Sequence, residues 1–370
     1  MRLCYVLAYR DPQYIRSKTL LAALQRMPGI EIIPAINRSR GAMRYVEALR
    51  LLLHVRRVHQ PDLYILGFRG HEIAWIVRRL TRGRPLVLDA LMSPYAALTE
   101  ERKAGTLGAL LGQLWRPWEA RALREADLVL TDTVLHAAYY TRTFGLAPER
   151  ILAVPVAAAE STATPDAIAK RADSDPLHVL FYGSFLPLHG IEIIIQAAAL
   201  VKDIPLRFDF IGGNSAQAGR LRALCAKLGV SNYTHRTWVS FDELIAREIP
   251  AADLCLGGPF GGTPQARRVV TGKTSQCLAL GRPTVIGAID AKYGFADKHN
   301  CLLVTQGDAQ ALASALRWAW MHREALPALG AAGQRLYAKR LSMATIVQTV
   351  GPALQQLIAA RAKTPLGEAV

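Results

Sequence analysis

The stretch "RRVVTGKTSQCLALGRPTVIG", residues 267–287, holds a turn, a short apolar helix, a glycine and a strand in one run. Its Gly-Lys-Thr-Ser core, Gly272 to Ser275, matches the end of a phosphate-binding P-loop. Such a loop carries a glycine five positions before its Gly-Lys pair and follows a strand directly. Arg267 stands at that place and the nearest upstream glycine is Gly262, so the spacing rules out a nucleotide triphosphatase loop. What remains is a helix over 274–280, closed by Gly281, and then the strand "PTVIG". Thr271 or Thr274 supplies an N-cap. Free backbone N–H groups and Lys273 at the helix start also suit an anion. Helix followed by strand is half of a parallel α/β unit.

The same alternation extends in both directions, which is the signature of parallel α/β architecture. The second half reads as strands "LHVLFYG", "LRFDFIGG", "NYTHRTW", "DLCLGG", "PTVIG" and "CLLV", separated by helices. In the first half "LCYVLA", "IEIIPAI", "DLYILGF", "PLVLDA", "DLVLTD" and "ILAVPV" alternate with helices expected over 14–27, 43–59, 71–80, 98–125 and 134–144. Between the halves lies "AAAESTATPDAIAKRADSDP", 157–176, whose small, polar and proline residues read as a linker. The expected plan is a Rossmann-like domain over 1–156, a linker over 157–176 and a second Rossmann-like domain over 177–341. A last helix over about 342–363 crosses back to the first domain. Two doubly wound sheets in one chain predict a ligand site at the carboxyl ends of their strands.

With 370 residues, 51% of them hydrophobic and 20% charged, the chain is globular and long enough for two cores. No run reaches the length of a membrane span. Five scattered cysteines with no Cys-x-x-Cys pair read as reduced small hydrophobes and suggest a cytoplasmic setting. The net charge of +16 is concentrated at the start. Residues 1–84 hold sixteen Lys and Arg against five Asp and Glu, which is +11 of that total. Arg44, Arg50, Arg56, Arg57, Arg78, Arg79, Arg82 and Arg84 lie on or beside expected helices. Without a helix-turn-helix, zinc-finger or RNP pattern, nucleic acid is the weakest partner for this charge. An anionic membrane leaflet, docked electrostatically through the helix over 43–59, fits it better, and a solvated basic surface with no partner is the alternative. The leucines of that helix, Leu49, Leu52 and Leu53, are expected to pack on the domain's own sheet.

Four stretches of the second half converge on the expected site. "FYGSFLPLHG" supplies Gly183 for close backbone approach, His189 as a phosphate donor and Gly190 at a helix start. "FIGGN" contributes Gly212 and Gly213. "CLGGPFGGTPQARR" sets two glycine pairs before Arg267 and Arg268, where backbone N–H groups and guanidiniums meet an anion. Lys273 and Gln276 complete the set, one turn apart on the same helical face. On the first domain, Asp89 ends the strand "PLVLD" and His71 opens the helix after "GFRG". These two are the candidates for contact with an acceptor or the reacting group.

These motifs resemble retaining GT-B glycosyltransferases of the family-4 type. "FYGSFLPLHGIEIIIQAA" is similar to the family's first donor motif and "VVTGKTSQCLALGRPTVIG" to its second. "LGFRGHE", "VLDALMSPYAALTEERK" and "EADLVLTDTVLHAAYYTRTFGL" echo the acceptor-side domain. The resemblance implies two Rossmann-like domains facing each other across a cleft. It also implies transfer of a hexosyl or acetylhexosaminyl group from a nucleotide-diphospho-sugar, with retention and without a metal or other cofactor. The implied acceptor is a glycan or a lipid-linked precursor of a cell-surface polysaccharide, met at the inner face of the membrane. Ser184 and His189 stand where the family usually has Arg and Lys, and Arg268 and Gln276 where it often has two glutamates. Lys273, three residues before the second of these, resembles a family subset in which lysine takes over the phosphate. The alternatives are a non-catalytic sugar-nucleotide binder or assembly partner, and a nucleotide-sugar epimerase.

Overall fold

The computed structural model describes residues 1–101, 105–160, 175–289 and 293–362. They fall into two units, Met1–Ala157 with Met343–Val370, and Ala158–Ser342.

In the first unit β1 (Arg2–Leu7), α1 (Ile15–Gln25), β2 (Glu31–Ile36), α2 (Met43–His59), β3 (Leu63–Leu66), α3 (Ala74–Leu80) and β4 (Leu86–Asp89) follow one another. Next come α4 (Pro94–Thr99), α5 (Gly108–Glu125), β5 (Leu128–Thr131), α6 (Val134–Phe144) and β6 (Ile151–Ala153). All strand pairs are parallel, in the order β2-β1-β3-β4-β5-β6. Successive residues of β1 go to opposite faces, as the two-residue period of a strand requires. Cys4 and Val6 pack with Ala48, Leu52 and Val55 of α2, while Leu3, Tyr5 and Leu7 pack with Leu20 and Leu24 of α1. Both faces being covered, the strands read as nearly continuous apolar runs.

The second unit runs β7 (Leu177–Gly183), α7 (Ile191–Leu200), β8 (Leu206–Gly212), α8 (Ser215–Leu228) and β9 (Tyr233–Arg236). Short helices α9 (Phe241–Glu243) and α10 (Ile249–Ala251) flank a π-helical stretch, Leu244–Glu248. β10 (Leu254–Leu256), α11 (Gly272–Ala279), β11 (Thr284–Gly287), β12 (Leu302–Val304), α12 (Ala309–Met321) and α13 (Leu326–Arg340) complete it. The order β12-β11-β10-β7-β8-β9 reverses direction between β7 and β10. That reversal is a topological switch point, where open α/β sheets bind ligands beyond their carboxyl ends. Leu177, Val179 and Phe181 pack under α7 and α12, and Leu180 faces Ile211, Cys255 and Cys277 on the other side. The last helix, α14 (Met343–Ala362), buries Met343, Ile346, Val350 and Leu354 in the core it shares with α1 of the first unit.

Several sequence expectations change. The helix expected over 98–125 is two helices, one ending at Thr99 and the next starting at Gly108, and Gly105 between them adopts φ 59, a left-handed conformation outside the α-helical region. His71 does not open α3; it lies in a 3₁₀ turn, Gly70–Glu72, behind left-handed Arg69. The start of the expected linker is packed rather than open, since Ala157, Ala158 and Ala159 are buried, while 161–174 lies outside the described residues. On α2, Leu52 packs on the sheet as expected, but Leu53 faces solvent. No described helix is long and apolar enough to cross a membrane.

Candidate donor-binding site

The switch point of the second sheet is lined by backbone. β7 and β8 end side by side at Gly183 and Gly212, paired in register. Gly212 has φ 120 and Gly183 has φ 147, both conformations that favour glycine. A Cβ on Gly212 would lie 1.9 Å from the Gly183 carbonyl oxygen, so the two chain ends can pack only without one. A Cβ on Gly183 would instead meet His189 and the Lys273 Nζ, each at 3.4 Å. Three residues from three separate segments therefore surround one point. Gly190 and Gly213, also expected at the donor, are required by packing. A Cβ on Gly190 would strike the Gly261 backbone at 2.4 Å, and one on Gly213 the Phe185 ring at 2.5 Å. Their missing side chains let neighbouring loops close on each other.

The segment 267–287 folds around this point. Thr271 is the N-cap of α11: its hydroxyl accepts from the Thr274 N–H and donates to the Gly257 carbonyl at 2.7 Å. Thr274 donates to the Gly258 carbonyl at 3.2 Å. The helix start is thus tied to the carboxyl end of β10, with Gly272 and Lys273 in its first turn. Lys273 is only 8% exposed, and its Nζ lies 5.5 Å above the Phe181 ring, within cation–π range. Among the described residues no carboxylate pairs with it. Burial lowers its pKa from 10.5 to about 7.

Gln276, one turn on, is buried, and its Oε1 accepts from the Ala159 N–H at 3.0 Å. The side chain expected to meet a ligand thus already holds the start of this unit. Arg268 sits half-buried in a 3₁₀ turn, Ala266–Arg268, ahead of the cap. His189 closes the 3₁₀ turn Pro187–His189, where its Nδ1 accepts from the Leu186 N–H at 3.4 Å.

In the first unit Asp89 has an internal partner in place of the expected substrate. The Nε of Arg16 donates to both Asp89 oxygens at 3.1 Å, and both side chains are fully buried. The same guanidinium donates to the carbonyls of Val154 at 2.7 Å, Pro155 at 3.1 Å and Thr131 at 3.4 Å. Burial pushes the Asp89 carboxyl up in pKa, against the opposing pull of Arg16. His71 is buried with neither ring nitrogen hydrogen-bonded, and desolvation and Arg69 bring its pKa down to about 3. Its imidazole is neutral across the physiological range. Near it in sequence, Arg69 pairs with Glu72 at 3.2 Å. Glu119 of α5 accepts from the Tyr95 N–H at 2.8 Å, and burial pushes its pKa up to about 7.

Sequence reading did not single out Arg16 or Glu119, although the signal was present. Arg16 shares a helix face with buried Leu20, Ala23 and Leu24, and Glu119 with Gly108, Gly112, Ala122 and Leu123. A charged residue on an apolar stripe is one that must find a partner.

Residues 176–322, which include every donor-side residue above, match the family model described as Glycosyl transferases group 1. Over 129 residues the chain is 33% identical to D-inositol 3-phosphate glycosyltransferase of Acidothermus cellulolyticus, covering 31% of this chain and 29% of that protein. The chain thus spans under a third of that relative's length. Among solved structures, sucrose-phosphate synthase of Thermosynechococcus elongatus superimposes with a TM-score of 0.73 over 97% of this chain and 99% of its own, at 16% identity. Anabaena HepE, solved with UDP and glucose, gives 0.69 over 96% and 100%, also at 16% identity. The fold is GT-B. Within this GT-B chain, the group 1 match falls on the unit whose switch point holds Lys273.

Proposed function

We propose that the protein is a retaining glycosyltransferase that moves a hexosyl or acetylhexosaminyl group from a nucleotide-diphospho-sugar to a glycan or lipid-linked acceptor in cell-surface polysaccharide synthesis. The observation that carries this reading is Lys273. A buried ammonium with no carboxylate beside it, at a helix start and a switch point, is complementary to a diphosphate. The group 1 match over 176–322 and the UDP bound by HepE support the same reading.

The diphosphate would lie against the backbone at Gly183 and Gly212, with His189, Lys273 and the first turn of α11 around it. As the bond from the sugar to the diphosphate breaks, negative charge grows on the leaving oxygen. Lys273, Arg268 and the helix start stabilise that charge from fixed positions, so little reorganisation is needed during the reaction. No resident metal is required by this arrangement. The acceptor hydroxyl would lose its proton to the departing phosphate oxygen on the same face of the sugar, which retains configuration. This removes the need for Asp89 as a base. Neutral His71 remains the acceptor-side candidate, as a hydrogen-bond partner rather than a cation. Gln276 would present its remaining amide N–H₂ to the donor while its oxygen holds Ala159.

The experiment is incubation of the purified protein with UDP-, GDP- and dTDP-sugars and assay of released nucleoside diphosphate and of sugar transferred. Turnover with one of them supports the transferase. A second reading, sugar-nucleotide binding without transfer, is favoured by Arg268 and Gln276, which stand where the family often has two glutamates. Binding without any turnover supports that reading instead.

A further inference from the structure

The first sheet has a switch point of its own. In the order β2-β1-β3 the chain reverses direction at β1, so the crevice lies between the carboxyl ends of β1 and β3. Three aromatic rings stand there. Tyr9 follows β1, Phe68 follows β3, and Tyr14 is the N-cap of α1. Tyr14 stacks on Phe68 with ring centres 4.6 Å apart and planes 20° apart. Tyr9 meets both rings edge-on, 4.9 Å from Phe68 and 5.7 Å from Tyr14. Phe68 is buried, whereas the two tyrosines are half-buried. With Leu91 and Val156 the rings form a small apolar cluster, distinct from the cores on the two faces of the sheet.

This platform is fixed before any ligand arrives. The Tyr9 N–H donates to Asn37 Oδ1 at 3.0 Å, and Asn37 Nδ2 donates back to the Tyr9 carbonyl at 2.9 Å. The Tyr14 N–H donates to the Asp11 carbonyl at 3.1 Å, closing the turn between β1 and α1. Rings held in this way bind with little ordering cost. The surroundings are electrically balanced. The charged groups acting on Tyr14 are Asp89, Arg16 and Asp132. Arg16 and Asp89 pair with each other, and Asp132 lies 2.8 Å from His136. Exposed Arg10 and Asp11, side by side in the turn, carry opposite charges. Burial pushes the Tyr14 phenol up in pKa, so its hydroxyl stays neutral. Aromatic faces with neutral hydroxyls, among charges already balanced, suit a ring whose C–H groups stack and whose hydroxyls hydrogen-bond. A phosphate calls instead for a cation or a set of charge-assisted donors.

We propose that Tyr9, Tyr14 and Phe68 are a stacking platform for an uncharged sugar ring of the acceptor, with the two tyrosines as its specificity-determining residues. Phe68 supports them from inside. The inference rests on the proposed sugar transfer and narrows its acceptor class. The acceptor presents a neutral pyranose, as a glycan or a glycolipid does, and not a sugar phosphate or a bare lipid phosphate.

The test is saturation-transfer NMR and calorimetry of the full chain with the methyl glycosides of glucose, galactose, mannose and N-acetylglucosamine, and with the corresponding hexose phosphates. Both are run with and without UDP. At least one glycoside should bind, with saturation strongest on its ring C–H protons, and more tightly than its phosphate. Tyr9→Leu/Tyr14→Leu should weaken that binding about tenfold or more, with UDP affinity unchanged. Tyr9→Phe/Tyr14→Phe keeps both rings and should bind more tightly than the leucine pair. If the leucine pair melts early, Tyr9→Leu alone carries the comparison, with a loss of about threefold or more. Wild-type glycoside binding in the leucine variants overturns the proposal. Tighter binding of the phosphates, equal weakening by leucine and phenylalanine, or no glycoside binding at all does so too. Turnover of a nucleotide sugar without glycoside binding removes the platform and leaves the transferase. Glycoside binding through the tyrosines without turnover keeps the platform and removes the transfer.

Discussion

Both units bury a cation at the carboxyl edge of their parallel sheet, and they treat it in opposite ways. Arg16 meets a carboxylate, Asp89, and the carbonyls of Thr131, Val154 and Pro155, so its charge and donors are satisfied inside the fold. Lys273 is almost as buried, yet among the described residues no carboxylate pairs with it; an aromatic face, His189 and the start of a helix lie near it. The first arrangement is a structural clamp joining α1 to the ends of β4 and β5 and the chain just after β6. The second is a charge held in readiness for an anion from outside. Burial alone therefore does not distinguish scaffold from site. The presence or absence of an internal counter-charge does.

The comparison breaks most visibly at the clamp. Asp89→Ala leaves Arg16 buried and unpaired, a change that typically costs about 3–5 kcal/mol. Denaturant unfolding should show that loss. An unchanged midpoint would mean that the pair is not a clamp. Lys273→Met, by contrast, should hold or raise stability, since it removes a desolvated ammonium with no partner to abandon.

The next effect is on ligand affinity. Lys273→Ala removes a charged hydrogen-bond donor worth about 1.5–3 kcal/mol, or roughly ten- to hundredfold in the dissociation constant of the sugar nucleotide. Equal affinity in calorimetry would return α11 to a purely structural role. Asp89→Asn, which keeps much of the clamp's shape, should leave that affinity alone.

Gln276 sharpens the contrast, because it belongs to both categories. Gln276→Glu keeps an acceptor for the Ala159 N–H and should preserve both folding and donor binding. Gln276→Leu strands that buried N–H and should cost about 1–3 kcal/mol of stability. Loss of donor affinity in the leucine variant beyond its loss of stability would place the amide against the ligand. A leucine variant as stable as wild type would remove the Ala159 contact from the account.

Much of the architecture was legible because period and punctuation agree. β7 was readable residue for residue, since the strand "LHVLFYG" ends on a glycine that its φ of 147 requires. The ends of α2 and α6 were equally plain. Elsewhere the determining facts were long-range. The break between α4 and α5 holds Gly105 in a left-handed conformation, which a lone glycine in a helical pattern does not announce. Asp89 looked like a strand-end acid facing a ligand, and nothing local reveals that Arg16, 73 residues away, neutralises it. At the donor-side edge, the residue types were visible: Gly183, His189 and Lys273 stand in motifs. Their convergence within 3.4 Å of one point was not, because it follows from the strand order rather than the spacing.

The most direct test of the account is the pH dependence of donor binding, measured by titration calorimetry with the tightest-binding sugar nucleotide. Lys273 has a pKa of about 7 in the free protein and an ordinary value of 10.5. A bound diphosphate stabilises the ammonium and raises that pKa, so binding above about pH 7 must take up a proton. The dissociation constant should then be flat below about pH 7 and rise about tenfold per pH unit above it, until the bound-state pKa is reached. Proton uptake should appear as a dependence of the heat on the buffer's ionisation enthalpy. In Lys273→Met both signals should vanish together. A pH-independent affinity in the wild type, or a profile that survives in the variant, would contradict the claim that Lys273 is the cation waiting for the donor's diphosphate.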